Sequence, residues 1–427
     1  MTIYIDCSRV YVFGGNHGIP RVVRNLVNNL TNSNGYKIIP VVMSFGNFRP
    51  IKNIPFRSER ILIFLKKIKS LIRYQKFTFS SLNKNRIKKG SSIIYDLFTI
   101  NLLCKKRIDP KPGDIFVTLD NFLMSVFPEH INKLKGLGLK IGSMQHDLIP
   151  VRFGQFYPTE DIISFKSHLE NSLRLSDICI TVSDYVKSDL ERYINENINN
   201  IKDINKNIKI DSYKHGYNIF TSKQDVQTPN TTLNQIFLKP TYIIVSTIEP
   251  RKNHSYLLDA FEKIWGSNIK ANLLIIGKIG WMVDDLIKRI KEHKQYGKQL
   301  FMMNNVSDSE LLYCYKNAKA LITPSVTEGF GLPIIEALSQ KTPVLASDIP
   351  VFREVGGDFC SYFSLSSPEQ LAKIIIDWEK NGVKPNFRNI NEFSWPTWKE
   401  STNDFIDKVI SLCNKTKEDN KIQKPNL

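Results

Sequence analysis

The chain has 427 residues, of which 42% are hydrophobic and 11% aromatic, and its formal net charge is +18 at pH 7. This length is too great for a single core and predicts two domains of ordinary size, while the composition excludes a disordered protein. The six cysteines are scattered without a CxxC pair, which indicates buried thiols in a reducing cytoplasm and argues against a zinc site.

The N-terminus predicts a strand at residues 2–6. It has no basic leader followed by an apolar segment, so we do not expect a signal peptide. No run in the sequence approaches the ~20 apolar residues that a membrane-spanning helix needs. Any contact with a membrane is therefore expected to be peripheral.

A glycine-rich loop follows this strand and leads into a helix that carries Arg21. Gly14 and Gly15 do not form a GxGxxG motif, and no acidic residue stands where a dinucleotide site would need one. This argues against an oxidoreductase. Two interpretations of Gly14, Gly15 and Arg21 stay open, a ligand-binding loop or ordinary turn chemistry.

Positive charge is concentrated in residues 52–89, which hold 12 basic residues against the single acidic residue Glu59. Within this stretch, residues 61–74 predict a helix with an apolar stripe on one side and most of its cations on the other. Such a helix suits the surface of an anionic membrane, and it suits equally a surface helix that packs its stripe on its own domain. Nucleic acid is a third candidate partner, but no recognised nucleic-acid motif supports it.

Two apolar runs, residues 115–120 and 139–144, predict buried strands of a parallel sheet. The second leads directly to His146 and Asp147. Open α/β sheets bind their ligands at the carboxyl ends of parallel strands, so this His-Asp pair is a candidate for a ligand site. The alternative is a histidine that only satisfies the end of a strand.

Alternating strands and helices continue on both sides of a polar stretch at residues 222–238, which predicts an inter-domain linker. Before it, residues 178–183 predict a strand and residues 184–193 a helix that Ser183 caps. After it, the predicted strands are 241–246 and 273–277, and the predicted helices are 256–265 and 284–293. This alternation predicts an α/β protein with one doubly wound sheet on each side of the linker and a cleft between them.

A second glycine loop lies in residues 324–338, between a predicted strand at 318–323 and an apolar helix. Gly329 and Gly331 let the backbone approach a ligand closely, and the free N–H groups of the helix attract negative charge. A carboxylate beside such amides would repel phosphate, so we expect Glu336 to accept hydrogen bonds from sugar hydroxyls. The alternative is a structural loop whose glutamates are merely solvated.

Glu328 and Glu336 are separated by seven residues within EGFGLPIIEAL, and this segment resembles the signature of retaining GT-B glycosyltransferases of the glycosyltransferase 4 family. The segments STIEPRKNH at 246–254 and VSDSEL at 306–311 resemble two further landmarks of that family, in the expected order. The resemblance covers residues 240–360 well and the first half of the chain more loosely.

The resemblance implies a GT-B fold, in which two Rossmann-like domains face a central cleft. We place the first domain at residues 1–221 and the second, nucleotide-sugar-binding domain at 239–395. GT-B enzymes commonly return a C-terminal helix to the first domain, and residues 396–413 are the candidate. Residues 414–427 are polar and are expected to form a flexible tail.

Arg251 and Lys252 follow the first strand of the second domain, on the same crevice edge as Glu328. Unless they belong to a solvated turn, they can neutralise a nucleotide diphosphate without a metal. Family resemblance adds that His146 contacts the donor sugar. The predicted catalytic residues are His146, Glu328, Arg251 and Lys252. The predicted substrate-binding residues are Gly14, Gly15, Arg21, Asp147, Gly329, Phe330, Gly331, Leu332 and Glu336.

The expected activity is retaining transfer of a hexose from a nucleotide-diphosphate sugar to a lipid-linked or growing surface-polysaccharide acceptor. Sequences that read IEPRKNH resemble bacterial mannosyltransferases of O-antigen and capsule assembly, so GDP-mannose is the first choice of donor. We expect no metal and no other cofactor, and a place in the cytoplasm or at the inner face of its membrane. The alternative is an inactive GT-B-like protein that docks on a membrane as a partner of a polysaccharide assembly complex.

Overall fold

The computed structural model describes residues 1–14, 18–33, 35–44, 47–54, 107–120, 127–217 and 231–422. Gly15 and the predicted helix at 61–74 lie outside these ranges, so the hypotheses about them stay predictions. The same holds for residues 218–230 and 423–427. All statements below concern the described residues.

The first domain is built on a seven-stranded sheet. Its strands are β1 (Thr2–Asp6), β2 (Lys37–Ser44), β3 (Asn47–Pro50), β4 (Ile115–Thr118), β5 (Lys140–Gln145), β6 (Ile178–Thr181) and β7 (Lys209–Ser212). They lie in the order β3-β2-β1-β4-β5-β6-β7, and all neighbours are parallel except β3, which pairs antiparallel with β2 at the edge. Every residue of β4 and β6 is buried, as expected for strands covered on both faces.

The helices of this domain cover the sheet. They are α1 (Ser8–Phe13), α2 (Gly18–Asn28), α3 (Pro128–Gly136), α4 (Ile149–Arg152), α5 (Thr159–Leu175) and α6 (Asp184–Asn197). On α2 the buried residues Val22, Val23, Leu26 and Val27 follow the helical period and face the core. The predicted cap of α6 is confirmed, because the Ser183 hydroxyl accepts the N–H of Val186 at 3.2 Å.

The second domain carries six parallel strands. They are β8 (Thr241–Val245), β9 (Asn272–Ile276), β10 (Leu300–Met303), β11 (Ala320–Thr323), β12 (Val344–Ser347) and β13 (Cys360–Phe363). Their order, β10-β9-β8-β11-β12-β13, is the doubly wound order of nucleotide-binding sheets. The helices that cover them are α7 (Thr231–Ile236), α8 (His254–Gly266), α9 (Asp284–Glu292), α10 (Asp308–Asn317), α11 (Leu332–Ser339), α12 (Pro350–Gly356) and α13 (Pro368–Asn381). The predicted α/β architecture with two doubly wound sheets is confirmed.

The predicted linker at 222–238 contains the short helix α7 in its second half. Leu233 is fully buried and Ile236 nearly so, which places both in the packed interior. The polar residues of this stretch suggested a loop, but the two apolar residues lie three apart and share one face of a helix turn. Residues 231–236 are therefore a folded element and not linker.

The C-terminal helix α14 (Trp398–Ile422) returns to the first domain, as the GT-B resemblance implied. The Ser401 hydroxyl donates to the carbonyl of Lys214 at 2.6 Å, and the Phe405 ring lies 5.3 Å from that of Tyr213. The helix continues to Ile422, into the stretch from residue 414 that the sequence predicted to be a flexible tail. Residues 414–422 contain neither glycine nor proline, so nothing in the backbone ends the helix earlier.

The two domains are held together by hydrogen bonds around the cleft. Both carboxylate oxygens of Glu354 accept N–H groups at the start of α6, from Asp184 and Tyr185, at 2.9 Å each. On another side, the Trp281 indole donates to the carbonyl of Phe156 at 2.8 Å. One apolar core also runs through both domains. The cleft residues are therefore fixed by both halves of the chain.

The cysteines follow the expectation from the sequence where they can be checked. Cys7, Cys179, Cys314 and Cys360 are buried free thiols, Cys413 is buried, and Cys104 lies outside the described residues. Within the described ranges, none of the helices combines the length and the apolar character that a membrane crossing requires.

Candidate active site

A cavity of about 500 Å³ lies between the two domains. Its walls include the residues that directly follow several strands: His146 after β5, Ser246 after β8, Gly277 after β9 and Asn304 after β10. These are the carboxyl ends of the strands of both sheets, where doubly wound folds bind ligands. All predicted catalytic residues line this cavity, as do Arg21, Asp147, Phe330, Leu332 and both glycines of the second loop.

The glycine loop of the second domain approaches the first domain closely. A β-carbon placed on Gly329 would lie 2.3 Å from the carbonyl oxygen of His146, so only glycine fits there. The carbonyl of Gly329 in turn accepts the Ser183 hydroxyl at 2.8 Å. Gly331 has a φ of 106° and caps α11, a conformation that favours glycine. Both glycines are thus explained by backbone geometry at the cleft.

Arg251 and Lys252 converge on the carboxylate of Glu328. Arg251 Nη1 lies 2.8 Å from Glu328 Oε2, and its Nη2 lies 2.7 Å from Glu249 Oε1. Lys252 forms an ion pair with the other oxygen of Glu328, which also accepts the Ser325 hydroxyl at 2.9 Å. Two cations and two carboxylates therefore form one network in the cavity wall.

The protonation of Glu328 is set by this network. Burial alone would raise the pKa of Glu328, but the charges and hydrogen bonds of Lys252 and Arg251 outweigh it and lower the pKa to about 2. Burial raises the pKa of Glu249 and of Asp147, and the charge of Arg251 only partly opposes this. A bound diphosphate would consequently compete with carboxylates for the two cations.

Glu336 of α11 is engaged on both oxygens. Its Oε1 lies 2.6 Å from Arg21 Nη1, and its Oε2 accepts the hydroxyl of Tyr315 at 2.7 Å. Arg21 belongs to the first domain, so this ion pair crosses the cleft. Burial would lower the pKa of Arg21, but the charge of Glu336 outweighs it and raises the pKa. A sugar that binds Glu336 must therefore share this carboxylate with Arg21 or displace it.

His146 enters the cavity from the first domain as a neutral ring. Its Nε2 lies 2.9 Å from the carbonyl of Leu119, which can only accept, so Nε2 carries the proton and Nδ1 is an acceptor. Burial lowers the pKa of His146 to about 4. At neutral pH the ring is therefore suited to bind a hydroxyl group. Asp147, next to it, uses Oδ1 to accept the N–H of Ile149 at 3.0 Å.

Part of the first glycine loop and the helix that follows it line the cavity. Gly14 ends α1 with a φ of 69°, and its N–H donates to the carbonyl of Val10. Among the described residues of this loop and α2, those that line the cavity are Gly18, Ile19, Arg21 and Val22. Arg21 therefore lies in the cavity wall, whereas Gly14 is not among the described residues that line it.

The cavity residues that the sequence prediction missed include His215, Glu249 and Trp281. Glu249 belongs to the IEPRKNH segment, and its position in sequence next to the two cations already indicated that it lies in the site. His215 follows a strand, as His146 does, so its place at a carboxyl end could have been noticed. Trp281 had no signal in the sequence, since its contact with Phe156 crosses between domains.

In the part of the chain that the structure describes, no group of three or more His, Cys, Asp or Glu side chains is arranged to hold a metal ion. The positive charge of the cavity comes from Arg21, Arg251, Lys252 and Lys278.

Comparison with known proteins identifies relatives of both sequence and fold. Residues 235–392 match the family described as Glycosyl transferases group 1. Over 298 residues the chain is 35% identical to the serotype-specific mannosyltransferase WbdA of Escherichia coli, a match that covers 67% of this chain and 36% of WbdA. It is 29% identical over 215 residues to the O-antigen chain mannosyltransferase RfbU of Salmonella typhimurium, covering 49% of this chain and 52% of RfbU. The chain thus spans about a third to a half of the length of these relatives.

Among solved structures, Anabaena HepE in complex with UDP-glucose is similar along the whole chain. The TM-score is 0.55 at 12% sequence identity, and the match covers 99% of both chains. At this identity the likeness concerns the fold. It agrees with the GT-B arrangement of two doubly wound domains around a cleft.

Proposed function

Because residues 235–392 of this chain belong to the glycosyl transferases group 1 family, we propose that the protein transfers a hexose from a nucleotide-diphosphate sugar to a lipid-linked or growing surface-polysaccharide acceptor. Mannose is the first choice of sugar and GDP-mannose the first choice of donor, since WbdA and RfbU are both named mannosyltransferases. The reaction is placed in the cytoplasm, at or near the inner face of the membrane that carries the acceptor.

The observation that carries this proposal is the convergence of Arg251 and Lys252 on Glu328 in the inter-domain cavity. A nucleotide diphosphate gains negative charge on its terminal phosphate as the bond to the sugar breaks. Two preorganised and largely buried cations stabilise that charge. Since side chains supply this stabilisation, we propose that the reaction needs no metal.

The remaining cavity residues bind different parts of the donor. Glu336 binds the ribose hydroxyls, Glu328 and the amides of the Gly329–Gly331 loop bind the hexose, and His146 contacts the hexose from the first domain. Each of these groups matches the chemistry of its target, since carboxylates and a neutral imidazole accept hydrogen bonds from hydroxyls.

We propose that the transfer retains the configuration at the anomeric carbon by displacement on one face of the sugar. The bond from the anomeric carbon to the phosphate oxygen breaks as the bond to the acceptor oxygen forms, and the acceptor proton passes to the departing phosphate. Among the described residues that line the cavity, Asp147 is the carboxylate that the first domain contributes, and its Oδ1 accepts the N–H of Ile149. This favours displacement without a covalent intermediate over attack by a side chain.

A nucleotide-release assay tests this proposal. The purified protein is incubated with EDTA and one donor at a time, GDP-mannose, GDP-fucose, dTDP-rhamnose, UDP-glucose, UDP-galactose or UDP-N-acetylglucosamine, with and without an extract of lipid-linked oligosaccharides. We expect release from GDP-mannose that depends on the extract and is lost in Glu328→Ala and Lys252→Ala. NMR of the product gives the anomeric configuration. If no donor releases its nucleotide and saturation-transfer NMR detects no nucleotide binding, the proposed activity is wrong. The alternative, an inactive protein that docks on an assembly complex, would then be favoured.

A further inference from the structure

His215 is a second buried histidine at the boundary of the two domains. It follows β7 of the first domain, is 3% exposed, and lines the same cavity as His146 and Gly329. None of the site roles described above uses it. Its position raises the question of what an imidazole contributes there.

Aromatic residues from three parts of the chain hold the ring of His215. The Phe330 ring lies 4.6 Å away in an edge-to-face arrangement, the Tyr213 ring 5.2 Å away, and the Trp398 ring 5.8 Å away. The backbone is fixed as well, because the Trp395 indole donates to the His215 carbonyl at 2.7 Å. The ring is therefore preorganised by the glycine loop and by the returning C-terminal helix.

One ring nitrogen of His215 is left unpaired by the residues that the structure describes. Nδ1 of His215 is buried and has no hydrogen-bond partner among the described residues. Burial, and then the neighbouring His146, lower the pKa of His215, so the ring is neutral. A neutral imidazole has one N–H donor and one acceptor nitrogen. Buried polar groups in folded proteins are nearly always paired, so an unpaired one beside a ligand cavity indicates a partner on the ligand.

The spacing of the two histidines indicates which ligand group fits. Their ring centroids are 6.4 Å apart, with the ring planes inclined by 38°. This is close enough for one oxygen atom to hydrogen-bond to both rings. His146 already donates from Nε2 to Leu119 and has an acceptor at Nδ1. The shared oxygen must thus donate a proton to His146 Nδ1, so it can bind both rings only as the acceptor of a proton that His215 carries on Nδ1.

A hydroxyl group can do both, whereas the fully ionised diphosphate of the donor can only accept. We propose that His215 is a further donor-binding residue, which together with His146 binds one hydroxyl of the donor hexose. This inference rests on the proposed function, because it assumes that a nucleotide sugar occupies the cavity. It adds a residue outside the glutamate and cation motifs and gives the C-terminal helix a role in holding it.

The test compares binding of a nucleotide sugar with binding of its nucleotide alone. GDP-mannose and GDP are titrated by calorimetry into the full chain, into His215→Phe and His215→Asn, and into the control His130→Phe on α3. We expect His215→Phe to weaken GDP-mannose binding about tenfold and to change GDP binding less than about twofold. His215→Asn, whose amide keeps a polar group near Nδ1, should recover part of the loss, and His130→Phe should change neither ligand.

Deoxy analogues of GDP-mannose identify the hydroxyl. Removal of one specific hydroxyl should weaken binding to the unaltered protein but not to His215→Phe, because the contact is already absent there. Equal binding of GDP-mannose by His215→Phe and the unaltered protein overturns this inference alone. If both His215 variants lose affinity for GDP and for GDP-mannose equally, the inference is also wrong, because His215 would then serve only to maintain the fold. If the unaltered protein binds no donor of the panel, the proposed function fails and this inference with it.

Discussion

Arg21 Nη1 lies 2.6 Å from Glu336 Oε1, and this ion pair joins helix α2 of the first domain to helix α11 of the second. Glu336 is the carboxylate to which we assign the ribose. Ribose binding there would compete with Arg21, whose guanidinium would then be available to the diphosphate in the same cavity. The pair thus couples nucleotide binding to the contact between domains.

Replacement of Arg21 by Met should affect the phosphate and the nucleoside in different ways. The variant frees Glu336 Oε1 for the ribose, so guanosine should bind as well as before or better. It also removes a cation from the cavity, so GDP should bind about tenfold more weakly. Calorimetric titration with both ligands measures the two effects. Arg192→Met, at an exposed position of α6, is the control. Equal weakening of guanosine and GDP would argue against the exchange.

Sequence patterns predicted the parts of this site that depend on local structure. The strand, glycine loop and helix around Glu328, and the two cations after β8, lie where their periodicity and their order along the chain placed them. Within one strand-loop-helix unit, the distance between residues in space follows from their spacing in sequence. These features also carry the resemblance to a known family.

Contacts between distant segments were beyond the reach of the sequence. The Trp395 indole and the His215 carbonyl are 180 residues apart, and both depend on how the C-terminal helix packs. The Arg21–Glu336 pair likewise requires two domains to meet at one distance and angle. Hydrophobic periodicity describes which face of an element is buried, but it does not say which partner buries it.

Substitutions in the network around Glu328 should have non-additive effects on stability, whereas each of them should abolish most of the activity. Lys252→Met leaves a buried carboxylate with one cation fewer, and we expect it to lower the free energy of unfolding by about 3 kcal/mol. Glu328→Gln removes the carboxylate from Lys252 and leaves Arg251 paired with Glu249, and it should also destabilise. The double variant removes both charges of the Lys252–Glu328 pair, so neither is left buried without its partner. Its loss of unfolding free energy should be clearly smaller than the sum of the two single losses.

Activity separates the two roles of this network. All three variants should lose at least about 100-fold in donor turnover, since each removes a group that we assign to the diphosphate or the hexose. Urea unfolding gives the stabilities and nucleotide release the rates. Recovery of turnover in the double variant would mean that the pair serves only the fold.

Gly329→Ala should separate the two domains at the cavity. A β-carbon there would lie 2.3 Å from the carbonyl of His146 and 3.1 Å from the β-carbon of Asp147, so one backbone must move. We expect donor turnover to fall at least about 100-fold, because His146 and Glu328 can no longer close on one sugar. Gly266→Ala is the control, since a β-carbon at Gly266 meets nothing within 4 Å. A fully active Gly329→Ala would contradict the closed geometry.

Asp6 is a buried acid at the end of β1 whose protonation affects stability. It is 1% exposed, and the Ser8 N–H donates to its Oδ1 at 3.1 Å. Burial, and then the charge of Asp120, raise the pKa of Asp6 to about 8, from 3.8 in the absence of the fold. The folded protein therefore holds a proton on Asp6 that the unfolded chain releases over most of the interval between these values.

Because the folded state binds more protons than the unfolded state in that interval, this group makes the protein less stable as the pH rises. The loss amounts to about 1.4 kcal/mol per pH unit, or about 3 kcal/mol from pH 5 to pH 7. Asp6→Asn carries a neutral amide that can still accept from Ser8, so it should remove this component. The urea midpoints of the variant and the unaltered protein, measured from pH 5 to pH 7, isolate the contribution of Asp6. The buried histidines contribute equally to the pH dependence of both proteins. The stability of the variant relative to the unaltered protein should grow with pH, and parallel curves would show that Asp6 titrates normally.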